Sequence, residues 1–383
     1  MTFNGNRSAA RMMIIFIFAA TLLFSAGVEA KPKKKKAPRK PGTERLIILD
    51  AALSLTYDDN IINYSDSDLD LLESDSPGGK FAIESKDDWI IVTRVSPRMS
   101  GRLIGDRKGW IDLGFTYYAY AANDVRRYSR ISFGARQYLT GRLYGEANYG
   151  YIPNYYYRNV FIGQDVLGND IFQEAKFSKH SMSLEAGYEI SKSLDARAAY
   201  IFQAKSYNRQ FEYRDIELNG FDFGGAWRPL KAIRLWSLYS FERAVAEGAD
   251  KADSILDVSY DSWDLTIGIR YYSRLFSRLA PEIYGSMQFR EIRFQTDKLP
   301  DIRRRHIYYF GREDNNIVAK AGIQVNLPYK VNGRVEYAFA RKDADLPDIY
   351  PDPSLNIPET AEELERKLDY RSNSITLGLT KRF

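Results

Sequence analysis

The chain contains no cysteine and only two histidines, His180 and His306. Without cysteine there is no disulfide to staple an exported fold, so burial and hydrogen-bond ladders must hold it. Together the two scarcities remove most routes to a zinc or thiol site, and no cofactor is expected. Long apolar runs are scarce too. Beyond the first thirty residues no segment approaches the about 20 apolar residues of a membrane helix, and mean hydropathy is −0.42. A chain of this hydropathy can cross a membrane only as a barrel, whose strands are apolar on one face. Aromatic residues, by contrast, are plentiful: 28 Tyr, 21 Phe and 5 Trp among 383 residues. That supply suits the girdles at membrane–water interfaces. A large soluble sandwich or propeller is the alternative reading of the same composition.

The formal charge of +5 is unevenly placed. Residues 31–40, KPKKKKAPRK, carry seven positive charges, and residues 1–30 carry a net +1, so the remainder is at −3. Arg7 and Arg11 precede an apolar run from Met12 to Ala26, followed by small residues around Ala30. Residues 1–30 therefore read as a secretory signal peptide. Residues 31–44 read as a disordered Lys/Pro-rich periplasmic tail. Lys31 to Lys40 could tether an anionic periplasmic partner, or serve only as a solvated linker; no nucleic-acid partner is expected.

From residue 45 onward one pattern recurs. Segments of ten to fifteen residues alternate apolar and polar positions with the period of a half-exposed strand. Fourteen are read, over 46–60, 88–103, 110–121, 128–139, 142–155, 177–191, 194–207, 217–228, 232–244, 258–272, 279–294, 315–327, 331–341 and 370–383. In the third, Ile111, Leu113, Phe115 and Tyr117 oppose Asp112, Gly114 and Thr116. The ninth is less regular, because Trp236 and Leu238 fall on its polar face. Connections alternate as well. Turns after even-numbered strands are tight, as at Thr140-Gly141. Odd-numbered strands lead into longer polar segments, namely 61–87, 156–176, 245–257, 295–314 and 342–369. A soluble sandwich has no reason to sort its loops by parity.

The last strand, SNSITLGLTKRF, ends on Phe383. In this it resembles bacterial outer-membrane barrels, whose terminal strand closes on an aromatic residue that the assembly machinery reads. The resemblance implies an all-β, transmembrane, antiparallel up-and-down β-barrel over 45–383 in a Gram-negative outer membrane. Short turns would face the periplasm and long loops the exterior. Export would follow the general secretory pathway. Phe383 would be the assembly signal, and the partners would be barrel-assembly machinery, outer-membrane lipid and lipopolysaccharide. Lys381 departs from the pattern, since such strands usually carry an apolar residue on the face of the final Phe. Tyr57-Asp58-Asp59-Asn60-Ile61 also resembles a first-strand element in bacterial β-barrel porins of the "porin 2" type, some linked to exopolysaccharide export. About fourteen strands are expected, with twelve or sixteen as alternatives.

The polar faces hold charges that a soluble core could not bury without great cost. They are therefore expected to face a water-filled lumen. The basic candidates for the pore lining are Arg94, Arg98, Arg130, Arg136, Arg142, Arg197, Arg228, Arg234, Arg270, Arg290, Lys320 and Arg334. The acidic ones are Asp112, Glu146, Glu185, Asp222, Asp264, Glu282 and Glu336. Such a wall could create a transverse field that favours polar or anionic solutes, or merely pair its charges across strands. Fourteen strands give a backbone radius of about 14 Å, wider than side chains readily fill. The expected function is a passive, polar-lined pore for small hydrophilic solutes or a polymer. The alternatives are a non-transporting scaffold with a plugged lumen and a lipid-modifying enzyme.

Enzymatic and metal motifs are thin. His180 precedes Ser181, but adjacent strand residues point to opposite faces and cannot pair. His306 follows three arginines in a loop. Asp66, Asp68 and Asp70 alternate like calcium ligands but lack the accompanying Gly and Glu. Residues 358–368 read as a short helix with Thr360 as N-cap and Glu363 completing a capping box.

Overall fold

The computed structural model describes residues 46–74, 79–103, 106–250, 257–273, 279–296, 309–347 and 360–383. The expected signal peptide, the Lys-rich tail and His306 lie outside the described residues.

Fourteen antiparallel strands close into a single barrel in which each strand pairs with its sequence neighbours. They are β1 Leu46–Asp58, β2 Asp88–Arg102, β3 Lys108–Tyr120, β4 Tyr128–Tyr138, β5 Leu143–Gln164, β6 Asp170–Glu189 and β7 Leu194–Tyr207, followed by β8 Ile216–Leu230, β9 Ile233–Ala246, β10 Tyr260–Tyr272, β11 Glu282–Phe294, β12 Glu313–Leu327, β13 Val331–Asp345 and β14 Tyr370–Arg382. The barrel closes where β1 meets β14, with Asp50 opposite Arg382 and Asp58 opposite Ser374. Closure leaves no unpaired sheet edge, which is what a strand structure in hydrocarbon requires.

The apolar parity faces outward. Leu113 is 55% exposed and Phe223 54%, and Ile267, Val335 and Ile375 are similarly open. Exposed large apolar residues of this kind recur around the wall from β1 to β14. So much exposed apolar surface on a monomer is unstable in water but matches hydrocarbon. The fold is a transmembrane β-barrel.

The two misfits of the ninth strand have a local cause. Trp236 lies opposite Gly268, and Leu238 opposite Gly224. The glycines leave room on the inner wall for the larger neighbours, and a Cβ at Gly268 would collide with the Trp236 ring. The same device recurs with Tyr144 over Gly187 and Tyr284 over Gly322.

Short and long connections do sort to opposite ends, with two corrections. Residues 156–176 are not a loop. β5 and β6 continue pairing through them, up to Gln164 opposite Asp170. Register shifts between Ile152 and Tyr155, Tyr156 and Arg158, and Phe161 and Gly163 break the alternation that would have revealed the strands. The hairpin turns at Asp165, whose carboxylate accepts from the backbone N–H of Leu167 and Asn169 at 2.8 and 2.9 Å. Gly168 supplies a φ of +84° there, and Val166 and Leu167 stand exposed at the tip. The second correction concerns residues 273–281, after β10, which are longer than the other connections at the short-turn end.

Candidate functional site

The site is the interior, and it has two levels. The middle of the barrel holds a cavity of about 510 Å³ whose lining includes Ser54, Arg94, Asp112, Thr116, Arg130, Asn148 and Ser183. Arg94 and Arg130 are exposed to it and carry no ion pair among the described residues. Below and around this level most wall charges pair. Arg98 approaches Asp112 at 3.8 Å and stacks 4.6 Å from the Trp110 ring. Arg136 pairs with Glu146 directly across the β4–β5 ladder. Arg197 meets Glu185 at 3.5 Å, Arg270 meets Glu282 at 3.0 Å, and Arg290 meets Glu242 at 2.7 Å. Arg334 lies 3.8 Å from Glu336, which also accepts from the Tyr284 hydroxyl at 2.7 Å. Asp264 accepts from Gln288 and Thr266.

Some residues of the sequence-based set sit elsewhere. Arg142 belongs to the turn before β5 and donates to the Ile190 carbonyl at 3.4 Å. Arg228 is exposed near the end of β8. Both are at the short-turn rim. Arg234 reaches Asp195 at 4.0 Å, one Asp222 oxygen is buried without a hydrogen-bond partner, and Lys320 is exposed on β12.

The upper level was not legible as a site. The connection from β1 to β2, expected over residues 61–87 to be a polar loop, folds into the mouth at its described residues, 59–74 and 79–87. Ile61, Ile62, Tyr64 and Ile83 bury themselves against Tyr120 and Tyr156, with Leu69, Leu72 and Phe81 packed alongside. The only signal in the sequence was the apolar content of that segment. Helix α1, Asp66–Glu73, starts at Ser65, whose hydroxyl accepts from the Asp68 backbone N–H. Its first-turn carboxylates suit the helix N-terminus, and Asp68 pairs with Lys80 at 2.7 Å. The three alternating aspartates thus belong to a helix and do not converge. No His/Asp/Glu cluster suited to a metal occurs among the described residues.

Three polar anchors hold this loop. Asn60 is 3% exposed; its amide donates to the Tyr64 and Arg371 carbonyls at 2.8 and 2.9 Å and accepts from the Tyr64 N–H. Arg126, from the β3–β4 connection, donates to the Ile61 carbonyl at 3.1 Å and the Tyr155 hydroxyl at 2.9 Å. Asn123 accepts from the backbone N–H groups of Glu84 and Ser85 and donates to Asp88. The Tyr57–Ile61 element is therefore a junction. Asp58 accepts from Ser372 and Asp59 from Asn373, tying β1 to β14 where loop 59–87 departs.

Across the mouth, loop residues Ile62 to Asp68 face Lys205, Arg214, Tyr260, Arg312, Lys342 and Tyr370, leaving a cavity of about 380 Å³. Helix α2, Ala361–Arg366, carries the expected capping box between Thr360 and Glu363. Leu364 is buried, and the next residues, Lys367 and Leu368, line the same cavity.

His180 and Ser181 point apart. His180 meets the Tyr149 hydroxyl at 2.8 Å on the outer wall, whereas Ser181 lines the mid-barrel cavity.

No family model matches the sequence, and no curated protein matches it. Solved structures with a similar fold are barrels. An anion-selective porin from Comamonas acidovorans is 9% identical, with a TM-score of 0.41 over 89% of this chain and 99% of that one. The outer membrane channel DcaP of Acinetobacter baumannii is 11% identical, with a TM-score of 0.43 over 90% and 99%. The Ralstonia pickettii toluene transporter TbuX is 10% identical, with a TM-score of 0.43 over 88% and 89%. At such distances none of them bears on what this chain carries.

Proposed function

We propose that the chain is an outer-membrane channel that lets small hydrophilic solutes cross passively. The observation that carries this reading is the polar mid-barrel cavity of about 510 Å³, bordered by Arg94 and Arg130, within a wall whose outer face is apolar. A purely structural barrel would fill its middle with packed side chains. Uncompensated arginines at that level favour anions over cations. The closed barrel with an apolar exterior supports a place in the outer membrane, with which the export signal expected at residues 1–30 agrees. Assembly through Phe383 and contact of the outer loops with lipopolysaccharide belong to the same reading.

Conductance of the refolded protein in planar bilayers is the test. Discrete channel steps with an anion-favouring reversal potential are expected. In Arg94→Gln/Arg130→Gln that potential should move toward cations. A folded barrel that never conducts would end the channel reading. It would favour the non-transporting scaffold, for which the observation is the apolar packing of Ile61, Ile62, Tyr64 and Ile83 inside the mouth.

A further inference from the structure

The mouth cavity carries charge that passive permeation does not require. Its two carboxylates are already engaged. Asp68 is held by Lys80 at 2.7 Å. Asp314 is held by Arg312 at 2.6 Å and approached by Lys342 at 3.8 Å. Besides Lys367, three other cations line the cavity from separate elements: Arg158 on β5, Lys205 on β7, and Arg214 at the end of a 3₁₀ turn, Arg209–Arg214. None of the three forms an ion pair among the described residues. Arg214 is only 7% exposed, and the Nε atoms of Arg158 and Arg214 are buried without a hydrogen-bond partner.

Aromatic rings hold two of these cations in place. The Arg158 guanidinium lies 4.6 Å from the Tyr157 ring and 5.7 Å from that of Tyr64. The Arg214 guanidinium lies 6.0 Å from the Tyr213 ring. Ring faces attract a cation and fix its orientation; the Tyr213 hydroxyl also hydrogen-bonds Arg214, whereas the Nε donors of Arg158 and Arg214 have no acceptor. A guanidinium whose Nε is buried without an acceptor is costly unless an anion supplies one.

We propose that the mouth cavity binds a small solute bearing two or more adjacent oxyanion groups, held by Arg158, Lys205 and Arg214. Guanidinium forks present paired donors matched to phosphate or carboxylate oxygens, and the lysine adds a mobile third charge. The volume of about 380 Å³ lies at the small end of ligand pockets, which suits a compact solute. Tyr207 and Tyr260 border the same cavity and offer apolar faces beside the cations. The inference deepens the channel reading, making the mouth a loading station, but binding itself does not depend on conduction.

Calorimetric titration of the detergent-folded full chain with sodium pyrophosphate at low salt tests it, with bilayer conductance measured in parallel. Saturable binding is expected, weakened at least about tenfold in R158Q/R214Q and unchanged in Lys192→Gln, which lies in the turn at the other end. Lys205→Gln provides a milder variant should the double one fail to fold, and its affinity should fall severalfold. Absence of saturable binding to the native chain, or native affinity in R158Q/R214Q, would overturn the proposal. Binding by a barrel that never conducts would retire the channel and keep the site. Conduction without binding would retire the site and keep the channel.

Discussion

Asn60 shows how much one side chain can determine in a barrel. Its amide satisfies backbone groups of the inward loop and of β14 at once. Replacing it with Ala leaves those buried groups unpaired, at a cost of about 1–3 kcal/mol. The cost should fall on the loop and not on the sheet. In Asn60→Ala, amide exchange over residues 61–74 should quicken while the barrel's thermal midpoint stays within a few degrees. Equal loss in both would mean that the residue supports closure more than the loop. Asp87, at the other foot of the loop, offers a test by pH. Burial alone would raise its pKa, but hydrogen bonds from the Ser85 hydroxyl at 2.5 Å and the Tyr57 hydroxyl at 2.8 Å outweigh burial and hold it below the ordinary 3.8. A carboxyl depressed in the folded state stabilises that state above its unfolded pKa, and the contribution is lost as pH falls through the folded value. Loop protection should thus be full at neutral pH and decline only below about pH 4. In Tyr57→Phe the Asp87 carboxyl, followed by NMR, should titrate closer to 3.8. An unchanged titration would remove the tyrosine from the account. Lys381 is 3% exposed, with its ammonium 4.9 Å from the Phe383 ring, a cation–π contact on the face where an apolar residue was expected.

At the scale of strands, cross-strand glycines make room for the inner-wall aromatics. The Trp236–Gly268 pair predicts that Gly268→Ala must swing the indole off the wall, costing about 1–3 kcal/mol through overpacking. A lowered thermal midpoint with a shifted Trp emission band would register both effects. An unchanged midpoint would mean that the ring moves freely. Strands were legible in the sequence wherever lipid and lumen sorted residues by parity, as in β3 and β10. They were illegible where something other than solvent decided the face. Trp236 and Leu238 looked misplaced because the glycines that accommodate them lie on other strands. Residues 156–176 looked like a loop because each bulge reverses parity, so an alternation of two never persists. The capping box at Thr360 was legible for the opposite reason, since all its partners lie within four residues.

At the scale of the whole molecule, barrel closure and strand number followed from counting alternating segments, whereas the interior did not. Parity alone was the basis for assigning charges to its middle. Which of them pair depends on registers that no single strand encodes, so Arg136 finds Glu146 while Arg94 and Arg130 find no carboxylate among the described residues. The mouth was hidden further, because its apolar loop is fixed by Asn123 and Arg126 from the β3–β4 connection. The loop occupies cross-section that solutes would otherwise use, and this leads to a test of the molecule as a channel. Replacing residues 63–84 with a short Gly/Ser turn removes α1 and the packing on Tyr120 and Tyr156, but keeps Asn60 and Asp87 at the feet. Access resistance at the mouth should drop, and single-channel conductance should rise at least about twofold. Trimming residues 162–171, the tip of the protruding β5–β6 hairpin, shortens the molecule without widening the mouth, so conductance should stay native. If both variants conduct like the native chain, the restriction lies lower, beside Arg94 and Arg130, where charge and not loop packing would set the current.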